Sequence, residues 1–162
     1  MVYTLIGITI IGIVLGLVQP EIQKRQDAAA ISASIETLRA IDSIIEEIKY
    51  VGGNTRLTNI KIGRGEMIID GEDDKIKIII DDSSFEYSQP GLNISSRNIF
   101  GLTVPKGKKY IVTLSLNYTQ KLNITYKGQD KEHIFQYAPS PYNIAIANNG
   151  LGKDGLTNID LS

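Results

Sequence analysis

The chain has no cysteine, no tryptophan and a single histidine in 162 residues. The missing cysteines exclude a disulfide framework, a zinc–thiolate centre and a thiol nucleophile. They do not assign a compartment, because secreted chains can also do without disulfides. The lone histidine, His133, follows Glu132 in an alternating stretch and reads as a surface residue. No Ser/His/Asp arrangement forms around it, and neither a P-loop nor a Rossmann glycine pattern occurs. Charge of either sign is not in excess: 17 Lys and Arg face 18 Asp and Glu, a net charge of −1. That removes the electrostatic case for a nucleic-acid partner. The expectation is therefore no catalytic residue, no metal and no cofactor: not an enzyme, on a length suited to one ordinary domain.

A further absence is local. From Met1 to Val18 there is no charge and no proline, and Ile, Leu and Val dominate. As a helix this stretch would reach about 26 Å, enough to cross a hydrocarbon core with some thinning. A cleavable signal peptide would need a basic n-region, and no basic residue precedes Lys24. A helix buried in a soluble core would carry a polar stripe, and only Thr4 and Thr9 offer one. A membrane-inserted helix fits best. Gly7, Gly12 and Gly16 each cost helix stability, up to about 1 kcal/mol against alanine. Gly12 and Gly16 have the GxxxG spacing that lets a second helix approach closely. Pro20, in a long helix, implies a kink or a locally lost hydrogen bond.

Beyond Val18 the pattern turns polar without a stop. Ile31, Ile35, Leu38, Ile41, Ile45 and Ile48 recur every three or four residues, the period of an amphipathic helix. Gly52 and Gly53 end the run. One helix over 1–53 is expected, about fifty residues and 70–75 Å long. Its residues 1–18 would be apolar all round, and 19–53 would pack one face on a head.

From residue 54 to 162 the period becomes two. Gly71-Glu72-Asp73-Asp74 reads as the turn of a hairpin, and Gly128-Gln129-Asp130 as another. The segment from Ser83 to Lys109 reads as the least regular part, containing long loops, and Gly150 to Ser162 as a final edge strand or a frayed tail. Seven or more short strands argue an antiparallel β-sandwich, immunoglobulin-like, packed on the rear of the helix, so the class is α+β. The carboxylates at Asp70, Glu72, Asp73, Asp74, Asp81 and Asp82 match no EF-hand spacing and read as a solvated acidic turn. Three N-glycosylation sequons start at Asn93, Asn117 and Asn123, the last two on the polar phase of their strands. N-linked glycans are the only attached group the sequence suggests.

The stretch YTLIGITIIGIVLGLVQPEIQK resembles the N-terminal segment of type IV pilins. In the bacterial form an aromatic residue is followed by Thr-Leu-Ile, an acidic residue, an apolar run and a proline. Tyr3, Thr4, Leu5, Ile6 and Pro20 match that pattern, while Gly7 stands where the glutamate would be. The departure favours the archaeal branch, whose members commonly lack the acid and often carry a β-sandwich head with N-linked sugars. The resemblance covers about thirty residues in sequence and the whole chain in layout.

It implies the major subunit of an extracellular helical filament, polymerising through its apolar helix and adhering to surfaces. Its partners would be identical subunits, the pilus assembly machinery, a prepilin peptidase and, before assembly, the membrane. The leader that this peptidase removes is not seen, so either Met1 is the processed N-terminus or the leader lies outside this sequence. A minor pilin, a pseudopilin and an archaellin share the layout. A membrane-anchored cell-surface binding protein with a β-sandwich head is the alternative of another class, though it would have a polar linker where a continuous helix is expected here.

Overall fold

The computed structural model describes residues 2–152 and 154–162, with side-chain surroundings from residue 11 onward except at 17 and 153. One long helix, α1 (Val2–Ile48), precedes a mostly antiparallel β domain, an α+β arrangement. The helix continues through Pro20, which has no N–H to offer the Gly16 carbonyl one turn back. Its rear half carries the expected stripe: Ile31, Leu38, Ile41, Ile45 and Ile48 are buried and Ile35 packs beside them. At its end the Asn148 side chain donates to the Ile48 carbonyl at 2.8 Å, and Gly53 turns the chain away in a left-handed conformation.

Ten strands follow among the described residues: β1 (Thr55–Ile60), β2 (Glu66–Asp70), β3 (Lys75–Ser83), β4 (Ile94–Ser96), β5 (Ile99–Lys106), β6 (Lys109–Asn117), β7 (Leu122–Tyr126), β8 (Glu132–Gln136), β9 (Tyr142–Leu151) and β10 (Thr157–Leu161). They form a four-stranded sheet, β1-β9-β10-β7, and a six-stranded sheet, β4-β5-β6-β3-β2-β8. The rear of α1 touches β3, β5 and β6 of the larger sheet and β1 and β9 of the smaller. Inward side chains of both sheets join the helix stripe in a single apolar cluster that includes Met67, Leu114, Ile124, Ile146 and Ile159. Without the helix that cluster would face water along one side.

The hairpin at Gly71–Asp74 forms as the alternation predicts, with Asp70 paired to Lys75. Three expectations are corrected. The sheets are not wholly antiparallel, because β7 and β10 run parallel, with Ile159 opposite Ile124. The turn at Gly128–Asp130 is tight, but it does not join neighbouring strands: β7 pairs with β10 whereas β8 pairs with β2 in the other sheet. Asp160 makes this crossing, since its carboxylate accepts hydrogen bonds from the Thr125 hydroxyl at 2.7 Å and the Gly128 N–H at 2.6 Å. The C-terminal segment is neither edge nor tail, because β10 lies between β9 and β7 with Ile159 and Leu161 fully buried. The span 83–109 contains the expected loop, over 84–93, and in addition β4 and the whole of β5.

Candidate functional site: the projecting front of the helix

All described residues of α1 from 11 to 22 are exposed. Ile11, Ile13, Val14, Leu15, Val18 and Ile22 are among them, with Ile11 60% and Leu15 62% accessible. Full burial of such a side chain is worth about 1.5–3 kcal/mol, so this rod forgoes a large stabilisation while it stands alone. A contiguous apolar surface of this kind marks an interaction site. A Cβ built on Gly12 or Gly16 meets no atom within 4 Å. No contact among the described residues therefore explains why those positions are glycine. Gly7 falls in the helical span, but its surroundings lie outside the described residues. Among the described residues no helix is long and apolar enough to cross a membrane; much of the Met1–Val18 run falls on residues whose side chains are not described.

Where the rod meets the head stands a residue that the polar pattern concealed. Asp27 follows Gln23, Lys24, Arg25 and Gln26 and looks solvated, yet it is completely buried. Its carboxylate pairs with Arg64 and accepts the Ser84 backbone N–H at 2.6 Å. Arg64 also donates to the Asp82 carbonyl at 3.0 Å, which ties the helix to the β1–β2 loop and the end of β3. Gly65 makes this loop possible: a Cβ there would lie 2.0 Å from the Ile79 carbonyl oxygen. The signal was in the spacing. Carrying the Ile31–Leu38 stripe back by four residues lands on Asp27, so the face was legible although the residue type argued against it.

The acidic residues mostly have lysine partners. Asp70 meets Lys77 at 2.5 Å, Asp73 meets Lys75 at 2.9 Å and Asp81 meets Lys106 at 2.7 Å. Burial pushes the Asp70 carboxyl up, but the Lys77 ammonium and the Asp73 N–H outweigh it and leave its pKa below the usual carboxylate range. Asp74 goes the other way. Burial raises it, the Ile124 N–H partly offsets this, and the charges of Asp130, Asp154 and Asp70 raise it further. Among the described residues no group of three or more His, Asp or Glu is arranged to hold a metal ion. His133 stacks on Tyr126 with ring centroids 3.8 Å apart, on an edge strand.

The three sequons are not equivalent. Asn93 is exposed in the loop before β4, and Ser95 is exposed too. Asn117 is half-buried, with its side-chain oxygen accepting the Thr119 N–H at 3.0 Å. Asn123 lies in β7, where its sequon partner Thr125 is buried and bonded to Asp160. No family model matches the chain, and neither characterised proteins nor solved structures provide a match.

Proposed function

We propose that this chain is the major structural subunit of an extracellular archaeal type IV pilus-like filament, with no catalytic role. The observation that carries the reading is the apolar front of α1, exposed along its described length, with glycines that no contact among the described residues accounts for. In such an assembly, residues 1–18 would leave the membrane only by entering a bundle of identical helices. Lipid contacts would then be exchanged for protein contacts without exposure to water. Residues 19–53 would hold the head, 54–162, as the outer wall. Processing by a prepilin peptidase, handling by the assembly machinery and adhesion at the cell surface follow from the same resemblance. Two sheets sharing one core support the finer description of the head as an immunoglobulin-like sandwich on a helix of about fifty residues. Its ten strands and parallel β7–β10 pair depart from the seven-stranded antiparallel plan.

The test is assembly. Full chain purified in detergent should give regular filaments by electron microscopy when the detergent is removed, and the chain lacking residues 1–25 should remain a folded, soluble monomer. A full chain that stays monomeric in lipid would instead fit the anchored binding protein. If native filaments are glycosylated, peptide mass mapping should find the sugar at Asn93 in preference to Asn123, whose sequon hydroxyl is engaged inside the sheet. Modification at Asn123 with Asn93 bare would reverse that ranking.

A further inference from the structure

The opposite end of α1 borders a cleft of about 560 Å3 that the assembly reading does not use. Glu46, Lys49 and Tyr50 bring the helix end to it, Arg97 and Asn98 come from the β4–β5 turn, and Tyr118 and Lys121 from the β6–β7 connection. The floor is fixed. Asp42 accepts the Tyr118 hydroxyl at 2.7 Å and the Asn98 side-chain amide at 3.0 Å on the same oxygen. Tyr118 is buried, and burial together with Asp42 pushes its hydroxyl pKa far up, so it remains a neutral donor.

The charges around this floor are unevenly matched. Lys49 is neutralised by Glu46 at 2.6 Å, and in the adjoining groove Arg39 is neutralised by Glu36 at 2.6 Å. Asp42 has two neutral donors on one oxygen and, among the described residues, no cation within 4.0 Å, so one unpaired acid lies beneath the site. Among the described residues, Arg97 and Lys121 have no carboxylate within 4.0 Å. Arg97 is also held where arginine is unfavourable. It is the first residue of a two-residue hairpin turn, between Ser96 and Ile99, with a φ of 58°. Positive φ at that position belongs to glycine. Residues kept in such conformations cluster at functional sites. Beside them the Tyr50 ring stands 82% exposed, with the Lys49 ammonium 4.9 Å from its centroid.

We propose that this cleft binds an acidic saccharide, a pyranose bearing a carboxylate. The volume suits a sugar-sized ligand. Arg97 presents the planar fork that matches a carboxylate, and Lys121 adds a second positive charge. The open Tyr50 ring offers a flat surface to the C–H face of a pyranose, while Asn98 and Thr157 lie within the lining to meet its hydroxyls. An acidic peptide would satisfy the two cations but would not need the ring. The proposal stands independently of the filament reading, because every residue it uses lies at the rear end of the helix or in the head.

Calorimetric titration of the detergent-solubilised full chain with trigalacturonate, maltotriose and hexaglutamate tests it. Trigalacturonate is expected to bind, and maltotriose at least about tenfold more weakly. Arg97→Gly removes the guanidinium while giving the turn the residue it favours. This variant should melt at the same temperature or higher and yet bind trigalacturonate at least about tenfold more weakly. Lys121→Gln should weaken it too. Absence of trigalacturonate binding, equal binding of maltotriose, or unchanged affinity in Arg97→Gly would overturn the proposal. Hexaglutamate binding as tightly as trigalacturonate would overturn the saccharide in favour of an acidic peptide.

Discussion

At the scale of single residues, the buried carboxylates decide most. Asp27 sits at the point where the free rod becomes part of the head, and Arg64 is its charged partner. Removing one member of a buried pair leaves the other without compensation and typically costs about 3–5 kcal/mol. Arg64 keeps some access to water, so Asp27→Ala is expected to cost about 2–4 kcal/mol. Asp27→Asn should cost less, because an amide oxygen can still accept the Ser84 N–H. Thermal unfolding of the full chain in detergent would measure both, and an unchanged midpoint in the alanine variant would refute the clamp. Asp70 and Asp74 give opposite pH dependences. The lowered pKa of Asp70 contributes stability above its unfolded value, about 3.9, which is lost as pH falls through the folded value. The raised pKa of Asp74 means that its ionisation opposes folding as pH rises through the folded value. Asp74→Asn keeps an acceptor for the Ile124 N–H, and asparagine tolerates the φ of 55° well. It should therefore stabilise the chain at pH 7, with the gain fading towards pH 4. A gain that instead grew on acidification would contradict the assigned direction.

At the scale of elements, what could be read in the sequence was what local period encodes. The stripe from Ile31 to Ile48 fixes which face of α1 is buried, and the alternation Val112, Leu114, Leu116 fixes the inward face of β6. The turn at Gly71–Asp74 was legible because its neighbours in sequence are also neighbours in the sheet. Pairing over longer distance was not. Nothing local to Leu122–Tyr126 says that its partner is Thr157–Leu161, running parallel, rather than the strand that follows it. Asp160 bonds to Thr125 and Gly128 across thirty residues and more, and no periodicity carries such a contact. The misread C-terminal segment yields a sharp expectation. Ending the chain at Leu156 would remove β10 and with it the fully buried Ile159 and Leu161, while opening edges on β9 and β7. Those two side chains alone represent about 3–6 kcal/mol of burial, against a net stability of about 5–15 kcal/mol for a typical domain. Circular dichroism of the truncated protein should show loss of the cooperative sheet transition. A folded product would mean that β10 is a dispensable addition.

At the scale of the whole molecule, the chain has two surfaces with different chemistry at the two ends of one helix. The head end is self-sufficient: its buried polar side chains have partners, and the rear stripe of α1 closes its core. The front end is not, and its glycines are the feature that a helical bundle would exploit. Here the structure separates folding from assembly. Because a Cβ at Gly12 or Gly16 meets nothing within 4 Å, leucine at either position should leave the folding of the head unchanged. Leucine should also favour membrane insertion, being more apolar and adding no charge. In a filament the same change would place a bulky side chain where neighbouring helices close up, and overpacking costs about 1–3 kcal/mol at each contact. That contact recurs in every subunit, so filament yield should collapse while subunit abundance in membranes stays normal. The comparison of the two quantities in cells expressing Gly12→Leu and Gly16→Leu is therefore diagnostic. Normal filaments from both variants would leave the glycines without a packing role and reduce the front of α1 to a generic apolar anchor. Loss of the subunit itself would contradict the independence of head and rod that the exposed, contact-free glycines imply.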